Sequence, residues 1–131
     1  MERSDFIGES SCVMADIIAN PGKQIVLTLK LPGKAQVRGN LIAKLEEMIE
    51  SKEVVSIDAR GTKLYDVSGM FGTLKPILYI SRSMETGGFQ RVYASNPSSG
   101  KNPNWPRFEI PIPALCNCDY ARPLLMEVYH F

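Results

Sequence analysis

The sequence predicts an antiparallel β-sandwich, and three observations carry that prediction. The chain has 131 residues, a length that suits one domain with a core of its own. Seven or eight short segments alternate apolar and polar residues at intervals of 8–15 residues, as half-buried strands do. Turn-forming pairs such as Gly61-Thr62 and Gly87-Gly88 separate these segments, and little of the chain has helical spacing. An all-β sandwich is therefore favoured over the mixed classes.

The alternation is clearest in the segment Gln24–Leu31. Its residues Ile25, Leu27 and Leu29 fall on one face of a strand, and Pro32-Gly33 ends it. The same pattern predicts further strands at Glu53–Arg60, Lys75–Arg82, Phe89–Ala94, Arg107–Ile112 and Pro123–Phe131.

Two segments have helical spacing. Ser11–Ala19 is predicted as a helix that Asn20-Pro21-Gly22 would end. Leu41–Ser51 also fits an amphipathic helix, but Val37–Glu46 alternates as a strand does. Periodicity alone does not decide between the two, and the all-β context favours a strand there.

Charge and composition exclude several classes of protein. The net charge is +1, with nine basic and nine acidic residues in 1–65 and six and five in 66–131, so no bulk attraction to nucleic acid is present. Hydrophobic residues make up 44% of the chain, which argues against disorder. No apolar run reaches the roughly 20 residues of a membrane span, and the first residues lack a signal-peptide pattern. We expect a soluble cytoplasmic domain.

Residues that support catalysis or metal binding are few. The single histidine, His130, would have to serve any nucleophile–base pair, and no phosphate-binding glycine loop is present. Cys12, Cys116 and Cys118 are an odd set, best read as free thiols, because a zinc site needs about four ligands. We expect no enzymatic activity.

Two surface features are candidates for binding. Arg82 and Arg91 are interleaved with aromatic residues on neighbouring strands, with Lys75 and Lys101 nearby in sequence; the alternative is that they are ordinary solvent-facing positions. The uncharged segment 67–74 is either buried packing or a site of membrane or partner insertion, and its apolar side chains are Val67, Met70, Phe71 and Leu74.

Several motifs together resemble the second C2 domain of the copine family. They are Lys101–Trp105 (Lys-Asn-Pro-Asn-Trp), Leu115–Asp119 (Leu-Cys-Asn-Cys-Asp) and Arg122–Leu124 (Arg-Pro-Leu). Asn-Pro-x-Trp alone occurs in many C2 domains, and the combination is what indicates copines. The segment Ser4–Glu9 and the strand that ends at Leu31 resemble the last strands of the preceding C2 domain.

This resemblance implies an eight-stranded C2-type sandwich with its strands in permuted order. Residues 1–31 would match the last strands of a first C2 domain, and residues 39–131 the first six strands of a second. We hypothesise that Asp5–Leu31 takes the place of the two remaining strands, so that residues 1–131 form one C2-like domain. The alternative is a homodimer in which these strands are exchanged between two chains.

The family's calcium ligands are mostly replaced. Calcium-binding C2 domains use five aspartates from the first and third loops. Two first-loop positions fall on Gly69 and Lys75, and a third-loop position falls on His130. Asp5 remains, with Asp66 as a nearby substitute. We expect no calcium at the standard site and no other cofactor.

The resemblance therefore implies a docking module. We expect calcium-independent binding to an anionic phospholipid surface through segment 67–74 with Lys75, Arg82 and Arg91, which makes the protein peripheral at membranes. The alternative is a structural protein–protein interaction domain within a larger assembly, without lipid binding. A third alternative is a piece of a longer copine.

Overall fold

The computed structural model describes residues 5–48, 51–69, 72–116, 119 and 121–131. In these residues eight strands are joined by short turns and two short helices, which confirms the all-β class. The elements are β1 (Phe6–Val13), α1 (Met14–Ala19), a 3-10 turn (Pro21–Lys23), β2 (Gln24–Lys30), β3 (Val37–Met48), β4 (Ser51–Thr62), β5 (Pro76–Ser83), β6 (Phe89–Ala94), β7 (Asn104–Pro111), α2 (Ile112–Cys116) and β8 (Pro123–His130).

The strands lie in the order β6-β5-β8-β1-β2-β3-β4-β7, and every neighbouring pair is antiparallel. We call β6-β5-β8-β1 the first sheet and β2-β3-β4-β7 the second sheet. The pair Glu9–Lys30 joins β1 to β2 at the corner between them. Within the first sheet, β1 pairs with β8 of the same chain, with Phe6 opposite Tyr129. The predicted eight-stranded C2-type sandwich is confirmed, whereas the strand-exchanged homodimer stays a prediction.

Apolar side chains from both sheets form the core between them. The alternation in β2 buries Leu27 and Leu29 and leaves Val26 at 57% exposure, as the sequence pattern predicts. Trp105 is 2% exposed, and its indole Nε1–H donates to the Pro76 carbonyl at 3.1 Å, so the buried donor is satisfied. At the open edge, the rings of Tyr93 on β6 and Phe108 on β7 stack at 3.7 Å between centroids and bring the sheets together.

Three elements differ from or refine the sequence prediction. The helix predicted over Ser11–Ala19 begins only at Met14, because Ser11, Cys12 and Val13 pair with β8. The ambiguous segment Val37–Glu46 is strand β3, as favoured. Helix α2 was missed, because five residues are too few to show a helical period.

The end of the sandwich where β4 ends and β5 begins holds the longest loops. We call this end, with segments 63–75 and 95–102 and the residues flanking β1 and β8, the loop end. Backbone hydrogen bonds join its segments: Leu64 N donates to Lys101 O at 2.9 Å, and Gly100 N donates to Leu74 O at 2.7 Å. Gly39, with a φ of +129°, packs so closely that a Cβ there would lie 2.9 Å from Leu64 Cα. The start of segment 63–75 is thus held firmly against β3.

Candidate functional site

The uncharged segment 67–74 contributes to the core at both of its described ends. Leu74 is 2% exposed and belongs to the core, so its side chain is not available at the surface. Val67 is partly buried and packs against the same core. Met70 and Phe71, the other predicted docking residues of this segment, lie outside the described residues. Of the two interpretations left open, buried packing accounts for Val67 and Leu74.

Lys75 and His130 meet where β5 and β8 run side by side. The backbone N–H of Lys75 donates to His130 Nδ1 at 3.0 Å, and the N–H of Phe131 donates to the Lys75 carbonyl at 2.9 Å. These bonds fix the backbone of Lys75, whose side chain is exposed. The resemblance aligns this position with a loop-one aspartate, and an exposed lysine side chain lies there instead.

Two more exposed lysines, Lys63 and Lys101, lie at the same end. Lys63 adopts a φ of +53°, which is uncommon for a residue with a side chain, and its N–H donates to Asn102 Oδ1 at 2.9 Å. The hydrogen bond from Leu64 to the Lys101 carbonyl ties the two lysine-bearing segments together. The loop end therefore presents three ammonium groups: Lys63, Lys75 and Lys101.

Arg38 is a fourth cation at this end, but it is used within the fold. Its guanidinium lies 4.0 Å from the centre of the Tyr65 ring. It also donates to the carbonyls of Ile7 at 3.0 Å and Phe6 at 3.3 Å. Arg38 thus joins the start of β3 to β1, and its charge is less available to a ligand than those of the lysines.

Asp66 is an exposed acidic residue of the loop end. Asp66 Oδ1 accepts from the Ser68 hydroxyl at 2.5 Å and from the Ser68 N–H at 2.8 Å. These hydrogen bonds lower the pKa of Asp66, and the nearby Lys101 and His130 lower it further. Within the described residues, no group of three or more His, Cys, Asp or Glu side chains is placed to hold a metal.

The two predicted arginines lie away from the loop end. Arg82 is seven residues beyond Lys75, near the other end of β5, and the rise of about 3.3 Å per residue places the two Cα atoms up to roughly 23 Å apart. Its Nη1 donates to the Pro113 carbonyl of α2 at 3.2 Å. The structure therefore does not bring Arg82 together with Lys75.

Arg91 lies on the outer face of the first sheet, in a layer of aromatic side chains. Its Cζ is 4.0 Å from the Tyr79 ring centre and 5.3 Å from that of Tyr129, and Nη2 is 3.7 Å from a carboxylate oxygen of Glu127. Its charge is largely used by these contacts. The predicted set Lys75, Arg82 and Arg91 is thus divided among three places.

The sequence analysis missed the part that Lys63 plays at the loop end. The signal was present, because Gly61-Thr62-Lys63 ends a predicted strand beside the uncharged segment. What could not be seen was the hydrogen-bonded contact with segment 101–102, some forty residues away in sequence.

The eight antiparallel strands and their order define the class of this protein, a C2-type β-sandwich. The chain is similar to Copine-A of Dictyostelium discoideum, with 30% identity over 128 residues that cover 95% of this chain. The predicted resemblance to copines is confirmed: the chain is similar to a part of such a protein.

The chain spans about a fifth of the length of this relative, 21%. No protein-family model matches the chain. No solved structure matches it significantly. In the part of the chain that the structure describes, no helix is long and apolar enough to cross a membrane.

Proposed function

We propose that this chain is a docking module, not an enzyme, and that it binds anionic phospholipid at the cytoplasmic face of a membrane without calcium. One observation carries the proposal. At the end of the sandwich where calcium-binding C2 domains gather aspartates, this chain presents the ammonium groups of Lys63, Lys75 and Lys101.

The physical reason is a reversal of charge at the loop end. Clustered aspartates repel an anionic bilayer until calcium neutralises them, whereas lysines attract it directly. Each lysine close to an anionic surface contributes about 1 kcal/mol, and this attraction falls away within a Debye length. Asp66 opposes part of it, but its carboxylate is turned towards Ser68. Three lysines thus support weak, reversible and salt-sensitive docking.

The test is vesicle sedimentation in the presence of a calcium chelator. We expect binding to vesicles that mix phosphatidylserine with phosphatidylcholine, little binding to phosphatidylcholine alone, and loss of binding in high salt. Substituting Lys63→Gln, Lys75→Gln and Lys101→Gln together should weaken binding by about a hundredfold, from about 1 kcal/mol for each lysine. Adding calcium should not strengthen binding.

A matched control carries Lys23→Gln, Lys30→Gln and Arg82→Gln, which remove the same charge from residues outside the loop-end segments. This control should retain most of the vesicle binding. If both triple variants lose it equally, the attraction is a bulk property of the chain and not a loop-end site. If the unaltered chain does not bind phosphatidylserine at all, lipid docking is wrong, and the protein-interaction alternative takes its place.

A further inference from the structure

The outer face of the second sheet carries two basic residues that the fold does not use. Lys44 on β3 and Arg60 on β4 are both exposed. They line one shallow concavity of about 360 Å³, whose other walls are Gln24, Ile42, Asp58 and Asn104, with the backbone of Ala59. This face is on the opposite side of the molecule from Arg91, and its Arg60 lies three residues before Lys63 of the loop end.

The strand register fixes the spacing of these two cations. Lys44 is directly opposite Asp58, and Ile42 is directly opposite Arg60. Lys44 and Arg60 are therefore diagonal neighbours, with Cα atoms about 7–8 Å apart. Side chains of this length can converge from that spacing on a single small anion between them.

The charges of Lys44 and Arg60 are free within the fold. Within the described residues neither takes part in an ion pair, whereas Arg91, Arg107 and Arg122 each pair with a carboxylate. Asp58 is opposite Lys44 in the strand register, but no ion pair joins these two described side chains, so both positive charges remain uncompensated. A dianion is therefore favoured over a single carboxylate, and a phosphate monoester carries a charge of about −1.5 to −2 at neutral pH.

Two further features of the concavity suit a phosphorylated ligand. The side chains of Gln24 and Asn104 flank the cations and bring amide N–H donors. Beside them, Val26 is 57% exposed and stands directly opposite Ile42, which makes a short apolar strip. Such a strip can pack against the organic part of a ligand while the phosphate contacts the basic residues.

We propose that Lys44 and Arg60 form a binding site for the phosphate group of a small phosphorylated molecule, either soluble or carried as a lipid headgroup. Arg60 supplies a planar fork of N–H donors to two phosphate oxygens. Lys44 supplies an ammonium to the same group.

The first experiment titrates inorganic phosphate into the chain at constant ionic strength and follows arginine Nε–Hε signals by NMR. The Arg60 signal should shift and saturate, while that of Arg107, paired with Glu46, should not. Arg60→Gln should weaken the affinity about tenfold, since it removes charge-assisted hydrogen bonds; in this variant the backbone amide signal of Lys44 reports binding. Asp58→Asn should strengthen the affinity, because a negative charge that repels phosphate is removed from the concavity.

Arg82→Gln, which makes the same substitution on β5 of the first sheet, is the matched control and should leave phosphate affinity unchanged. A shift that never saturates, or one that Arg60→Gln leaves unaltered, would overturn the proposal. Because Asp58→Asn is a gain-of-affinity variant, its result does not depend on a damaged fold.

The second experiment separates the two sources of the phosphate group. It uses the chain with Lys63, Lys75 and Lys101 changed to Gln, so that docking at the loop end does not interfere. Binding of soluble inositol trisphosphate that is lost on Arg60→Gln supports a soluble ligand. Binding confined to vesicles that contain phosphatidylinositol bisphosphate, with the same dependence on Arg60, supports a headgroup. Binding to neither, or binding indifferent to Arg60, contradicts the site.

Discussion

The outer faces of the two sheets differ in the contacts that their basic residues make. On the first sheet, the guanidinium of Arg91 lies over Tyr79 and Tyr129 and pairs with Glu127. On the second sheet, Lys44 and Arg60 make no ion pair within the described part of the chain. Arg91 is therefore a structural residue, whereas Arg60 is a candidate residue for binding a ligand.

The difference arises from what surrounds each basic residue. The outer face of the first sheet is a second, smaller apolar layer: Phe6 is 2% exposed and Ile77 6% exposed. The Phe6 ring lies 4.9 Å from the Tyr129 ring, which in turn meets Tyr79 edge-on at 5.5 Å. The second sheet has polar residues and the exposed Val26 instead. The first face thus contributes to stability, and the second is open to a ligand.

The largest expected effect that tests this comparison is Phe6→Ala. Removing a buried ring should lower the free energy of unfolding by about 3 kcal/mol, since burial and the contact with Tyr129 are both lost. Chemical denaturation measures it. The matched change on the other sheet is Val26→Ala, which should alter stability by less than about 0.5 kcal/mol. Equal effects would mean that the two outer faces do not differ as described.

Much of the fold could be predicted from the sequence, because alternation in β2 and β8 records which side of a strand is buried. Strand β1 could not be predicted in that way. Its sequence, Phe-Ile-Gly-Glu-Ser-Ser-Cys-Val, does not alternate, because Phe6 and Ile7 are both buried, one in each apolar layer, across a bulge. The resemblance to copines supplied that strand, whereas periodicity did not.

The candidate site could be predicted less well, because it depends on contacts between distant strands. The sequence places Lys75 and Arg82 on one strand but does not reveal that up to roughly 23 Å separates them. An uncharged loop reads equally as a membrane-inserting segment or as core, and the burial of Leu74 decided part of that question. The pairing of Arg91 with rings on β5 and β8 needs the register, which the pattern does not give.

A second prediction concerns the inner side of the first sheet, where Cys12 is buried on β1. Burial raises the pKa of its thiol from 9.0 to about 11, and the charge of Asp16 adds to the shift. Below pH 9 the thiolate fraction is then about a hundredfold smaller than for a free cysteine. In a chain with Cys116→Ser and Cys118→Ser, alkylation of Cys12 by iodoacetamide should be at least that much slower than in the denatured protein.

The pH dependence of the alkylation rate tests whether the raised pKa of Cys12 is the reason that alkylation is slow. The folded pKa is raised, so the buried thiol contributes stability that is fully present below pH 9 and is lost as the pH rises through about 11. The alkylation rate should therefore keep rising up to that pH. A rate that levels off near pH 9 in the folded chain would show an exposed thiol and a loosely packed β1.

The smallest effect gives the sharpest comparison, because it makes the same substitution on each sheet. Arg91→Gln should lower the free energy of unfolding by about 1 kcal/mol, from a cation–π contact and a partly exposed ion pair. Arg60→Gln should change it by less than about 0.5 kcal/mol, since no contact within the fold is lost.

Measuring the unfolding free energy of both variants at low and high salt separates the ion-pair contribution of Arg91 from its cation–π contribution. Salt should remove the contribution of Glu127 and leave that of the rings, so a residual loss at high salt identifies the aromatic layer as what holds Arg91. If Arg91→Gln lowers the free energy of unfolding no more than Arg60→Gln does, Arg91 is not held by the fold. The outer face of the first sheet is then again a candidate docking surface.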